Sequence, residues 1–111
     1  MIGVSNMPVQ EIEDLKSCFV EQLEPIKIYL FGSCANGTDT ADSDLDFYIV
    51  VDDSTEDLAD LAAQAFRAIR RVKKHPVDIL IGTSSHFEAR KTVPSVENEV
   101  YQKGVFLLYG S

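Results

Sequence analysis

The stretch LFGSCANGTDTADSDLDFYIVV, residues 30–51, decides the fold. An apolar run ends at Phe31 and is followed by Gly32-Ser33. Ten small or polar residues, Cys34 to Ser43, come next, and Asp44-Leu45-Asp46 then opens a second apolar run that reaches Val51. Small polar residues between hydrophobic runs mark a loop, here with room for one helical turn. Asp44 and Asp46 are one residue apart, so on a strand both side chains leave the same face, with Cα atoms roughly 6.5–7 Å apart. Leu45 and Phe47 then point the other way, into the core. Like charges sharing a face repel one another. A bound Mg²⁺, which prefers hard oxygen ligands, removes the conflict.

Working outward, Val9, Ile12, Leu15, Phe19 and Leu23 recur at helical steps and predict an amphipathic first helix. Pro8 suits its first turn, Glu11, Glu13 and Asp14 complement its dipole, and Glu24-Pro25 ends it. Ile26 to Phe31 reads as a buried strand, with Ile26, Ile28 and Leu30 on one face and Tyr29 and Phe31 on the other. Asp44 to Val51 is the second strand. Asp53 with Glu56, or Ser54 with Asp57, offers a capping box for the next helix. Leu58, Leu61, Ala65, Ile69 and Val72 form that helix's buried stripe, and His75-Pro76 stops it.

Val77 to Ile81 is a third strand, and Asp78 interrupts its apolar run where a valine would suit the strand better. A carboxylate buried there is costly without a partner. A neighbouring strand carrying Asp44 and Asp46 makes it a third ligand. Read alone, Asp78 is an ordinary edge residue and Asp44-Leu45-Asp46 an ordinary solvated strand end. Ser85 with Glu88 predicts a short helix, Ser95 to Lys103 another closed by Gly104, and Val105 to Tyr109 a last strand. This alternation predicts an α/β domain with a small mixed sheet flanked by helices, one domain over residues 1–111.

The composition fits a globular domain, 45% hydrophobic and 25% charged. Its formal net charge of −8 argues against broad contact with nucleic acid phosphates and suits binding of divalent cations or of a basic partner. Cys18 and Cys34 form no CxxC pair and no zinc spacing with His75 or His86, so they read as free thiols. No signal peptide and no run of about 20 apolar residues is visible, which predicts a cytoplasmic protein without membrane contact. His75 and His86 read as surface residues. Walker A and Gly-x-Gly-x-x-Gly patterns are absent.

Gly32-Ser33, ten residues, then Asp44-Leu45-Asp46 resembles the signature of the minimal nucleotidyltransferases within the DNA polymerase β superfamily. The Pro76-Val77-Asp78-Ile79 segment resembles that family's third-carboxylate strand. Residues 99–105 and the closing apolar strand are similar too, so the likeness covers roughly residues 9 to 109. The resemblance implies the nucleotidyltransferase fold and a nucleotide-binding set of Gly32, Ser33 and Ser43. It also implies Asp44, Asp46 and Asp78 as catalytic, metal-binding residues for Mg²⁺, with two ions expected and ATP as substrate. Ser33 and nearby backbone N–H groups would hold the β- and γ-phosphates.

Members often carry a basic residue just after the Gly-Ser turn, where this chain has Cys34, Ala35 and Asn36. Triphosphate affinity then rests more on metal ions and on lysines or arginines from elsewhere. Half of the ten basic residues, Arg67, Arg70, Arg71, Lys73 and Lys74, lie within one short run. The run reads either as a solvated helix end complementing the dipole or as a docking or phosphate-binding patch.

Small members of this family look like antitoxins that transfer AMP to a hydroxyl of an all-helical ribonuclease toxin. The alternative from another class is a catalytically silent antitoxin that neutralises its partner by contact. A nucleotidyltransferase for antibiotics or tRNA fits less well, since such proteins usually add a domain for the acceptor.

Overall fold

The computed structural model describes residues 8–32 and 44–109. In chain order the elements are α1 (Val9–Leu23), β1 (Lys27–Phe31), β2 (Leu45–Val51), α2 (Leu58–Ile69), β3 (Val77–Thr83), α3 (Ser84–Arg90), α4 (Val96–Lys103) and β4 (Val105–Tyr109). The strands form one sheet in the order β3-β2-β1-β4. β1 runs antiparallel to β2 and to β4, whereas β2 and β3 are parallel. The expected mixed sheet with flanking helices is therefore observed.

The two faces of the sheet follow from strand alternation. Ile28 and Leu30 of β1 share a face with Leu45, Phe47, Ile49 and Val51 of β2 and with Ile79 of β3, and all are buried. The apolar stripes of α1 (Ile12, Leu15, Phe19, Leu23) and α2 (Ala65, Ile69) cover this face. Phe19 meets Phe47 edge to face at 5.1 Å, a preferred aromatic arrangement. On the opposite face Tyr29, Tyr48 and Val50 pack against Phe87 of α3 and Val100 of α4.

The path between β2 and β3 fixes where the chain's polar ends meet. The chain leaves β2 at Val51, returns along α2 and re-enters the sheet at Val77, directly beside Leu45. The Leu45 N–H donates to the Pro76 carbonyl at 2.8 Å. Residues 70–76 thus lie at the end of the sheet that carries Asp44 and Asp78.

Three sequence expectations change here. Asp57 caps α2, accepting from the Asp60 N–H, so neither proposed capping box forms. Asp53 instead accepts from the Ser85 backbone N–H at 2.8 Å and from the Ser85 hydroxyl, tying the loop after β2 to the start of α3. The cap of α3 is Thr83 rather than Ser85, and α4 is capped by Ser95 and followed by Gly104 as its sequence suggested.

The third change concerns Glu11. It does not merely complement the dipole of α1: it is 6% exposed, on the same side of the helix as Leu15. Its carboxylate accepts from the Lys74 N–H at 2.5 Å and the His75 N–H at 2.9 Å, and meets His75 Nδ1 at 2.6 Å. An ionised carboxylate only accepts, so Nδ1 carries that proton. His75 is accordingly half-buried and held to α1 instead of being a plain surface residue. Burial pushes the Glu11 carboxyl upward, but the hydrogen bonds from Lys74 and His75 outweigh it and hold the pKa below the usual glutamate value.

Candidate functional site

Asp44 lies just before β2 and Asp46 is its second residue, so both project from the sheet face opposite Leu45 and Phe47. The parallel ladder pairs Asp46 with Asp78 of β3, which puts the third carboxylate on that face as well. One oxygen from each of Asp44, Asp46 and Asp78 lies within 4.8 Å of the other two. The three residues singled out in the sequence are therefore brought together.

Their environment differs in one respect from the sequence expectation. β3 is an edge strand, and Asp78 is exposed rather than buried. Asp78 is thus both an edge residue and a member of the cluster, and it needs no buried counter-charge. Asp46 is the half-buried member. Burial above all, then the charges of Asp78 and Asp44, raises its carboxyl above the usual aspartate range. Among the described residues, none of the ion pairs involves any of the three.

The donor set suits a hard divalent cation. Three anionic oxygens converge from the one face, and neighbouring oxygens on a single octahedral Mg²⁺ stand about 3 Å apart. Small side-chain rotations of groups within 4.8 Å of each other reach that spacing. The repulsion that lifts Asp46 is the kind a cation relieves.

Gly32 forms the second wall. It directly follows β1, beside the Phe31–Asp46 pair, and has φ +84°, a conformation glycine adopts freely and other residues resist. A Cβ at this position would run into the Asp46 carboxylate. Gly32→Ala should therefore lose about 1–3 kcal/mol from the backbone alone, and should weaken any stabilisation by Mn²⁺ because the Asp46 side chain must move. Thermal unfolding with and without Mn²⁺ checks both. An alanine variant with wild-type stability and metal response would contradict the contact. Ser33 and Ser43, the other two expected nucleotide-binding residues, fall outside the described residues, as does Cys34.

Sequence reasoning missed a polar group behind the carboxylates. Tyr48, two residues beyond Asp46 on the same face, donates its hydroxyl to Glu97 of α4 at 2.8 Å. Glu97 is buried and also meets Arg90 Nε and His86 Nε2, each at 3.3 Å. Burial, then the hydrogen bond and charge of Glu97, pushes the Tyr48 phenol far above its usual value. Tyr48 therefore stays protonated and serves as a fixed donor that anchors α4 over the sheet. The usable signal was a tyrosine within the apolar run Phe47–Val51, since a buried tyrosine hydroxyl usually finds a partner. His86 is exposed, as expected.

A family profile described as "Nucleotidyltransferase domain" matches residues 12–107. No curated protein matches the sequence. Among solved structures, a protein described as a nucleotidyltransferase from Sulfolobus solfataricus has a similar fold at TM-score 0.59 and 14% identity. That match covers 96% of this chain and 84% of the other. A second similar structure is described as a toxin-antitoxin with AMP-PNP, at TM-score 0.56 and 23% identity, covering 94% of this chain and 74% of that one.

Proposed function

The chain belongs to the nucleotidyltransferase domain family, and from that premise we propose that it transfers AMP from ATP to a hydroxyl on a helical toxin partner, acting as the antitoxin of the pair. The observation that carries the reading is the Asp44–Asp46–Asp78 cluster, whose oxygens converge across the β2–β3 ladder. The similar fold of a toxin-antitoxin structure with AMP-PNP supports the partner and nucleotide assignments.

In this reading Asp44, Asp46 and Asp78 would hold Mg²⁺. A divalent cation held there would supply the positive charge that offsets the triphosphate and the charge developing at the α-phosphorus. The remaining work is positioning. Gly32, lacking a side chain, lets a phosphate approach the backbone beside Asp46, and Ser33 adds a hydroxyl donor. Asp78, exposed at the outer edge, accepts the proton of the acceptor hydroxyl. The acceptor oxygen bonds to the α-phosphorus, the bond from that phosphorus to the bridging oxygen breaks, and pyrophosphate leaves. Little covalent chemistry is asked of the protein.

Mass spectrometry of the partner after incubation with ATP and Mg²⁺ tests the reading. The expected result is a partner carrying covalent AMP, with transfer lost in Asp78→Asn and Asp46→Ala and only weakened in Ser33→Ala, whose role backbone groups share. A partner that is neutralised by tight binding yet unmodified would leave the silent, contact-acting antitoxin in place of the enzyme.

A further inference from the structure

We infer that the basic run Arg67–Lys74 is the docking surface for an acidic segment of the protein that brings the acceptor hydroxyl. The inference rests on the transferase reading for its purpose, though not for its geometry.

The charge distribution is the first observation. Arg67, Arg70, Arg71, Lys73 and Lys74 are all exposed, and among the described residues none of them makes an ion pair. Of the other five basic residues, Lys16, Lys27, Arg90 and Lys91 are paired with the chain's own glutamates. A chain with 18 acidic residues thus leaves half of its basic groups uncompensated in one place. A solvated helix end complementing the dipole accounts for Arg67 and Arg70, but Lys73 and Lys74 stand beyond the last turn of α2.

Position is the second. The run ends at the turn that enters β3, where the Pro76 carbonyl bonds Leu45 and where Asp78 follows. That turn is built rather than loose: the buried Glu11 carboxylate holds the backbone of Lys74 and His75 and leaves the lysine side chains outward. Relative to Asp46, Gly32 lies on the β1 side and the basic turn on the β3 side. α2 covers the sheet face opposite the carboxylates, so the run reaches the site at its Lys73–Lys74 end, beside Pro76 and Asp78.

The third observation selects the class of partner. Outside the run the chain has 18 acidic against five basic residues. A nucleic acid extends its phosphates well past a patch of this size and meets that acidic remainder. A folded protein with a local acidic face does not, since charges farther than about 8 Å are largely screened at physiological ionic strength. The acidic remainder then orients the partner by repelling its acidic face everywhere else.

The test uses the full chain and a fluorescently labelled random copolymer of glutamate and tyrosine. The wild type should bind it at low salt and progressively less as salt rises. A variant with all five residues changed to glutamate should bind on the order of tenfold or more weakly, and a glutamine version, closer to the native helix end, should show an intermediate loss. Asp44→Asn with Asp46→Asn should bind as the wild type does, so that loss of AMP transfer and loss of docking are read separately. Equal binding by wild type and glutamate variant, or no binding by either, overturns the inference. Tighter capture of a single-stranded RNA oligonucleotide by the same residues overturns it in favour of nucleic acid. A matching loss of ATP affinity in the glutamate variant overturns it in favour of a phosphate site.

Discussion

Glu11→Ala should lower the melting temperature by about 10 °C without touching the carboxylate cluster directly. The side chain accepts three hydrogen bonds from Lys74 and His75 in a nearly closed environment. Each bond to a charged group contributes about 1.5–3 kcal/mol, and losing the acceptor strands two backbone donors. Discounting for partial rehydration at the half-buried turn leaves about 3 kcal/mol, and a domain of this length shifts by about 4 °C per kcal/mol. Glu11→Gln keeps one acceptor and should lose roughly half as much. The difference from wild type should also depend on pH. The folded carboxyl titrates below its ordinary 4.5, so its contribution is present above that value and disappears as pH falls through the folded value. Thermal melts of wild type and Glu11→Gln at neutral and acidic pH check the sign. A gap that stays constant down to pH 3 would show that the carboxylate's charge is not what holds the turn.

The pattern of elements was legible because each relies on local periodicity. The stripe from Val9 to Leu23 and the alternation in Ile26–Phe31 give α1 and β1 almost to the residue. Caps were less legible for a physical reason. Asp52, Asp53, Ser54, Thr55 and Asp57 can all cap a helix, and the cap is Asp57: Asp53 is bound to Ser85, 32 residues away, and Ser54 to Asp52. The burial of Asp78 was misjudged because an apolar run does not reveal whether its strand is central or at the edge.

The candidate site was legible to the extent that its spacing is local. Asp44 and Asp46 share a face by strand geometry alone, and the position of Asp78 needed only the assumption that β3 lies beside β2, which it does. Glu11 with His75 and Tyr48 with Glu97 were not visible, since their partners are 64 and 49 residues apart. For Glu11 there was a hint, an acid in line with Leu15 on the apolar side of α1. Nothing in the sequence near Glu97 announces the tyrosine it holds.

The second large effect belongs to the pair Asp44→Asn with Asp46→Asn, and its sign depends on the metal. Without divalent cations the variant should be as stable as the wild type or more so, because it removes the burial and the repulsion that raise the Asp46 carboxyl. The same change should abolish AMP transfer, since two of the three cluster oxygens lose their charge. A ligand that binds only the folded state stabilises it by about 2.7 kcal/mol at 100 times its dissociation constant, or about 10 °C here. The direct measurement is therefore a Mn²⁺ titration followed by thermal unfolding, on wild type and double variant side by side. The melting temperature should climb with Mn²⁺ in the wild type and stay flat in the variant, so that their order of stability reverses. Equal shifts in both proteins, or none in the wild type, would contradict a cation site at Asp44, Asp46 and Asp78.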